Sequence, residues 1–241
     1  MTKQTGIIKE EMFYSTALQE ELTLLIYLPE NFSPLYKYSL LIAQDGQDYF
    51  RLGRVARQAE ALLKEDEIEN LIIVGIPYND VNDRKDKYHP QGEKFSAYVR
   101  FLAHELVPFL DQEFPTYQVG HGRALIGDSL GATVSLLTGL AYPHTFGKLI
   151  LQSPFVNEDV TKAVEDFTSP SLPSIFHQIG TEETQVKTTD GQVKDFITPN
   201  RELQKLLEKK GFPYHYEEFK GDHTWKYWQP LLTPLLKEMF G

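Results

Sequence analysis

Short apolar runs alternate along this chain with segments whose apolar residues recur at helical spacing. The run 70–78, NLIIVGIPY, is apolar almost throughout and contains several β-branched residues, which is typical of a parallel strand buried on both faces. Similar runs, which we also predict to be strands, occur at 22–29, 38–46, 123–127, 148–154, 174–180 and 214–219. Strands that alternate with helices predict an α/β fold with a mostly parallel central sheet and helices on both faces.

Helices are predicted between these strands. Phe95, Val99, Leu102 and Leu106 form a stripe that indicates a helix, which Pro108 should kink or end. The other predicted helices cover 54–66, 129–142, a segment with Leu203, Leu206 and Leu207 that stops at Gly211, and 225–240, which we expect to be broken. The polar stretches 79–94 and 181–200 are predicted to be loops.

Composition limits the possible partners and compartments. The 241 residues suit one large α/β domain spanning 1–241. The chain has no cysteine, which excludes disulfides, a thiolate metal site and a cysteine nucleophile. A net charge of −10 repels phosphate backbones and anionic lipids, so we expect neither a nucleic-acid nor a membrane partner. The first residues contain no basic start followed by a long apolar run, so we expect no signal peptide and a cytoplasmic location.

The sequence does not contain the common motifs for cofactors or metals. The run 120–125, GHGRAL, has leucine where a dinucleotide-binding motif needs its third glycine, and it precedes its strand. No two histidines stand four residues apart, as they would at a helical zinc site. Asp45 and Asp48 lack the rest of a calcium loop. We therefore expect no cofactor and no metal, and a small molecule as the ligand.

Ser129 stands between Gly127 and Gly131, at the junction of a predicted strand and a predicted helix. The G-x-S-x-G pattern in this context is the nucleophile elbow, in which the serine adopts a strained backbone and flanking side chains would collide. The following helix N-terminus places amide hydrogens near the serine oxygen, where an oxyanion would form. Ser129 is therefore the predicted nucleophile.

His223 is the predicted base. Chains with this elbow place the nucleophile first, then an acid, then the histidine. Of the histidines that follow Ser129, His144 lies in a helix-exit segment, and His177 and His215 lie within predicted strands. Only His223 lies in a loop between the last strand and the last helix, where it is free to reach the serine.

The acid is predicted to follow the strand 174–180. Glu182 and Glu183 both stand at this position, and either could orient the imidazole. Asp195 and Asp222 are weaker candidates. Asp222 is adjacent to His223 in sequence and is therefore poorly placed to bond to its ring. The backbone N–H groups of Gln47, after the turn at Asp45–Gly46, and of Leu130 are predicted to form the oxyanion hole.

Four stretches resemble the esterase D and enterochelin-esterase-like family of the α/β hydrolases. They are LLIAQDGQDYF, IIVGIPYNDVNDRKDKYHP, ALIGDSLGATVSL with YPHTFGKLILQSP, and IGTEE with GDHTWKYW, and they extend over most of the chain. The resemblance implies an oxyanion donor at Gln47, a nucleophile at Ser129, an acid at Glu183 rather than Glu182, and a base at His223.

Two positions depart from the family pattern. Ala132 stands where a glycine often follows the elbow, and Lys87 stands where an acid is usual in the loop that contains Arg84. Because of this second departure, we expect Arg84 to be a salt-bridged structural residue rather than a substrate ligand.

Together these residues predict a serine carboxylic ester hydrolase that acts through a Ser-His-Glu triad and an acyl-enzyme. The segment 155–173 has room for only one short helix as a cap, so we expect an open site that prefers short acyl chains. The alternatives are a siderophore trilactone esterase, an acyltransferase, and a non-catalytic binding member of the fold.

Overall fold

The computed structural model describes residues 6–189 and 191–241 and contains an eight-stranded sheet. The strands are β1 (Ile7–Ser15), β2 (Glu20–Leu28), β3 (Ser39–Gln44), β4 (Leu71–Ile76), β5 (Arg123–Asp128), β6 (Lys148–Gln152), β7 (Ser174–Gly180), β8 (Val186–Lys187), β9 (Val193–Lys194) and β10 (Tyr214–Phe219). Their order in the sheet is β1-β2-β4-β3-β5-β6-β7-β10, and β8 and β9 form a separate hairpin. Each of the seven predicted strands is present.

The strands from β4 to β10 in this order run parallel to one another, and β2 is antiparallel to both of its neighbours, β1 and β4. Strand β1 was not predicted. It is an edge strand whose apolar residues Ile7, Ile8 and Met12 are exposed, and its sequence IIKEEMFYS lacks the apolar alternation that burial against a core imposes.

The helices are α1 (Gly46–Arg51), α2 (Val55–Lys64), α3 (Val81–Tyr88), α4 (Phe95–Phe101), α5 (Val107–Glu113), α6 (Leu130–Ala141), α7 (Glu158–Asp166), α8 (Ile197–Lys210) and α9 (Trp225–Phe240). Three predictions about these segments were wrong. The stretch 79–94 contains α3, whose N-terminus is capped by the Asp80 side chain. The stretch 181–200 contains the β8–β9 hairpin and the start of α8.

Helix α9, which was expected to be broken, runs unbroken through Pro230 and Pro234. Its residues Leu232, Leu236 and Phe240 are buried in the core, and this tertiary packing outweighs the loss of two backbone donors. Pro108 was predicted to kink or end its helix; the helix does not end there, and a π-helical turn at Leu102–Leu106 joins α4 to α5 just before the proline.

The core lies on both faces of the sheet. Adjacent residues of β3 point to opposite sides, so that Leu40 and Ile42 join one apolar cluster while Leu41 and Ala43 join another. Helices α2 and α9 cover the second cluster, and α4, α6 and α8 cover the first. The predicted fold class, a mostly parallel sheet with helices on both faces, is confirmed. No helix in the described part of the chain is both long and apolar enough to span a bilayer.

Candidate active site

Ser129 lies in the turn between β5 and α6. Its backbone has φ 54° and ψ −122°, a conformation that non-glycine residues adopt only where the surroundings enforce it. A Cβ atom on Gly127 would lie 2.1 Å from the carbonyl carbon of Gly131, so the first glycine of the motif is required by the close crossing of strand and helix. The Ser129 N–H donates to the Gln152 carbonyl at 2.9 Å, which ties the turn to the neighbouring strand.

Glu183 and His223 lie in contact, although 40 residues separate them in the chain. The distance from His223 Nδ1 to Glu183 Oε2 is 2.6 Å, and the carboxylate is buried. Its other oxygen, Oε1, accepts from the Ser153 hydroxyl at 2.6 Å and from the Gly180 N–H at 2.9 Å. Both oxygens of the Glu183 carboxylate therefore have hydrogen-bond partners.

The three other acids considered from the sequence are placed elsewhere. Glu182 is exposed. Asp195 accepts from the N–H groups of Ile197 and Thr198 at the start of α8. Asp222 accepts from the Thr224 hydroxyl at 2.6 Å.

Aromatic rings and a buried serine hold the histidine and its acid. The His223 ring lies 4.6 Å from Phe196 and meets Trp228 edge to face at 4.8 Å, centroid to centroid. Trp228 Nε1 donates to Ser153 Oγ at 3.1 Å, and Ser153 donates in turn to Glu183. Sequence reasoning missed Ser153, and its position directly after β6, the strand next to the elbow strand, was the signal that could have found it.

Ser129, Leu130 and His223 line one cavity of about 760 Å³ at the carboxyl ends of the strands. No hydrogen bond joins Ser129 Oγ to the His223 ring among the described residues, and such bonds are often long until substrate is bound. The other walls combine aromatic and charged side chains: Tyr78, Phe155, Phe196 and Trp225, with Asp48, Arg84 and Lys187. Trp228 also lines the cavity, next to Trp225.

The residues predicted to donate to an oxyanion belong to the first turns of two helices. Gln47 follows Gly46 at the start of α1, and Leu130 begins α6. Amides in a first helical turn have no carbonyl partner within their helix, so they are available to an external acceptor. Gly46 is packed so tightly on β4 that a Cβ atom would lie 2.4 Å from the Gly75 carbonyl carbon.

The remaining histidines that follow Ser129 are placed away from this chemistry. His177 is buried within β7, and both of its ring nitrogens are bonded, to Tyr214 Oη and Asn200 Oδ1, each at 2.7 Å. His215 stacks on Phe176 at 4.6 Å on the edge strand, and His144 is exposed. No cluster of three or more His, Asp or Glu residues suited to a metal ion occurs in the part of the chain that the structure describes.

Arg84 lies in α3, within the stretch predicted to be a loop, and it is salt-bridged as expected. Its Nε and Nη2 atoms donate to the two carboxylate oxygens of Asp45 at 2.8 and 2.6 Å. The adjacent Asp128 is buried, which raises the pKa of its carboxyl well above the usual value, and the nearby Asp45 raises it further.

The parallel sheet and the strained serine turn at the end of its fifth strand define an α/β hydrolase. Residues 15–239 match the model of the family described as "Putative esterase". The chain belongs to this esterase family, and it is a carboxylic ester hydrolase.

Three similar proteins illustrate the relationship. The uncharacterised protein YjcH of Bacillus subtilis (strain 168) is 60% identical over 239 residues, which cover 99% of this chain and 100% of YjcH. A ferulic acid esterase structure has a TM-score of 0.78 at 18% identity and covers 98% of this chain and 99% of its own. The enterobactin esterase FES from Shigella flexneri, solved in the presence of enterobactin, has a TM-score of 0.83 at 16% identity, and the match covers 97% of this chain but 58% of that one.

Proposed function

We propose that this chain is a serine carboxylesterase that works through Ser129, His223 and Glu183 within a single domain spanning 1–241. Ser129 Oγ attacks the acyl carbon of the ester while His223 takes up the hydroxyl proton. The tetrahedral intermediate then collapses, and the alcohol leaves with that proton. Water, deprotonated by His223, hydrolyses the acyl-enzyme and releases the acid and the free serine.

The observation that carries this proposal is the 2.6 Å contact between His223 Nδ1 and Glu183 Oε2 beside the strained turn at Ser129. A carboxylate that accepts the Nδ1–H fixes the ring tautomer and leaves Nε2 with a lone pair for proton transfer. Burial of Glu183 strengthens its interaction with the imidazolium that forms during the reaction.

The oxyanion in this proposal is bound by the backbone N–H groups of Gln47 and Leu130. Both belong to first helical turns, where the aligned peptide dipoles add a positive partial charge. Removal of one such donor typically lowers kcat by about 10²–10³-fold.

We propose short-chain carboxylic esters as the preferred substrates. The chain between β6 and β7 supplies α7, a helix of nine residues, as the only helical segment there that could cap the site. Charged side chains such as Asp48 and Lys187 share the cavity wall with the aromatic ones. Each added methylene gains about 0.8 kcal/mol only where apolar surface buries it, so long acyl chains should gain little here.

A panel of nitrophenyl esters tests this proposal. We expect kcat/KM to be highest for acetyl or butyryl esters and to fall for octanoyl and palmitoyl esters. Ser129→Ala should lower kcat at least about 10⁴-fold. Ser135→Ala is the matched control, because this buried serine donates only to the Gly131 carbonyl of its own helix. A preference for palmitoyl, or substantial turnover by Ser129→Ala, would contradict the proposal.

Trilactone hydrolysis is the second candidate. The observations that favour it are the likeness to an enterobactin esterase structure and a cavity of about 760 Å³, which has room for a bulky acyl group. A trilactone siderophore therefore belongs in the same panel. If its kcat/KM exceeds that of the butyryl ester by orders of magnitude, the trilactone becomes the preferred substrate class.

A further inference from the structure

Arg84 is a charged residue next to the reaction centre that the proposed chemistry does not use. Only 11% of its side chain is exposed, and the Asp45 carboxylate that it binds is 2% exposed. Besides its two bonds to Asp45, Nη2 donates to the backbone carbonyl of Asp128 at 3.2 Å. The guanidinium therefore bridges two segments that are more than 80 residues apart in the chain.

These two segments carry the two proposed oxyanion donors. Asp45 is separated from Gln47 only by Gly46, and Asp128 is separated from Leu130 only by Ser129. The distance between the two amides depends on how the β3–α1 turn sits against the β5–α6 turn. Arg84 is bonded to Asp45 in the first of these turns and to Asp128 at the start of the second.

The β3–α1 turn needs such support because its conformation is unfavourable. Asp45 has φ 54° and ψ 42°, in the left-handed region that favours glycine. Its N–H donates to the Tyr88 hydroxyl at 3.1 Å, and its carboxylate lies so close to the elbow that a Cβ atom on Gly131 would be 3.0 Å from Oδ2. Tyr88 and Arg84 both belong to α3, so one helix holds the turn from two directions.

We infer that Arg84 is a positioning residue that sets the separation of the Gln47 and Leu130 amides through its bonds to Asp45 and Asp128. This inference rests on the proposed function. Two of the three guanidinium nitrogens are already bonded to fixed partners, which favours a role through the two turns over direct binding of the substrate. Its effect belongs to the transition state, where the oxyanion exists, and so should appear in kcat.

The experiment compares Arg84→Gln, Arg84→Lys, Asp45→Asn and the double variant Arg84→Gln/Asp45→Asn, with Ser129→Ala assayed alongside. Arg201→Gln is the matched control, since Arg201 forms the same two-bond pair with Glu218, at 2.7 and 2.8 Å, on the exposed surface. The substrates are the butyryl nitrophenyl ester and a nitrophenyl half-ester of succinate, which carries a carboxylate. Thermal unfolding of each variant gives the folded fraction.

We expect Arg84→Gln to lower kcat about 10²-fold with KM within about threefold, because one oxyanion donor is misplaced. Arg84→Lys should recover part of the loss, since an ammonium can bond to Asp45 but lacks the planar two-bond fork. The double variant removes both buried charges, so its thermal stability should exceed that of Arg84→Gln while its kcat stays low. Arg201→Gln should leave kcat unchanged.

Two results would overturn the inference. If kcat recovers together with stability in the double variant, Arg84 has only a structural role. If the loss is confined to the succinate half-ester and falls on KM, Arg84 binds the substrate directly. An active Ser129→Ala variant would instead contradict the proposed function itself, regardless of the results for the Arg84 variants.

Discussion

Two histidines, one within strand β7 and one in the loop after strand β10, illustrate how one side chain can have opposite roles. His177 lies in the middle of β7, fully buried, and both ring nitrogens are bonded to uncharged partners. His223 lies in the loop before α9, where Nδ1 is bonded to a carboxylate and the ring lines the cavity. Burial lowers the pKa of His177 to about 4, so this ring is neutral across the physiological range.

The difference between them lies in the partners and in the access to the cavity. A histidine whose two nitrogens are satisfied can cross-link a core, but it has no atom left for a substrate. A histidine that donates Nδ1–H to a buried carboxylate keeps Nε2 for proton transfer. The distinction predicts that changes around His223 should affect rate, and that changes at His177 should affect stability.

Among the residues that surround the two histidines, the largest effect is expected at the acid. Glu183→Gln should lower kcat about 10³–10⁴-fold, because an amide neither fixes the tautomer of His223 nor stabilises its charged form. Glu182→Gln is the matched control, since this neighbouring carboxylate is exposed, and it should change kcat by less than about twofold. Steady-state kinetics on the butyryl ester provides the comparison. An equal loss of kcat in both variants would contradict the assignment of Glu183 as the acid that orients His223.

An intermediate effect on kcat is expected at Ser153, which donates to the Glu183 carboxylate. Ser153→Ala removes one of the two donors to Glu183 Oε1 and leaves Trp228 Nε1 without its acceptor. We expect kcat to fall about tenfold, since the Gly180 N–H still holds the carboxylate, and the free energy of unfolding to fall by about 1–3 kcal/mol. The checks are kinetics and urea denaturation, with Ser135→Ala for comparison. A full loss of activity would mean that Ser153 itself takes part in the reaction.

The smallest effect on rate is expected at His177, where stability should respond to pH instead. Its pKa in the folded protein is about 4 against an ordinary 6.5. As pH falls through 6.5, the unfolded chain therefore binds a proton that the native protein does not, and stability is lost. This one group should cost about 2 kcal/mol between pH 7 and pH 5.

His177→Gln should therefore be less stable at pH 7 but should lose less stability on acidification than the wild type. Urea denaturation at pH 7 and pH 5 measures how much stability each protein loses on acidification. The kcat of the variant at pH 7 should remain within about threefold of the wild type. If the two proteins lose stability in parallel, His177 is not the group responsible.

Much of the candidate site could be predicted because the ends of strands, and the order of the candidate residues along the chain, can be recognised from short stretches of sequence. The glycines around Ser129, the loop position of His223 and the strand end before Glu183 each carry a local signal. Helix α3 could not be predicted in this way, because its segment VNDRKDKY has almost no apolar stripe. One contact that holds it is distant in sequence, because the buried Lys87 pairs with Glu20 as well as with Asp83 in the same helix.

The most direct test of the central claim is labelling with a fluorophosphonate, followed by peptide mapping by mass spectrometry. The probe reacts with a serine that is activated by a base and faces an oxyanion hole. We expect one adduct per chain, located on Ser129, and a much slower reaction in Glu183→Gln than in Glu182→Gln. A folded, ester-hydrolysing protein that carries no adduct, or carries it on another residue, would contradict the account.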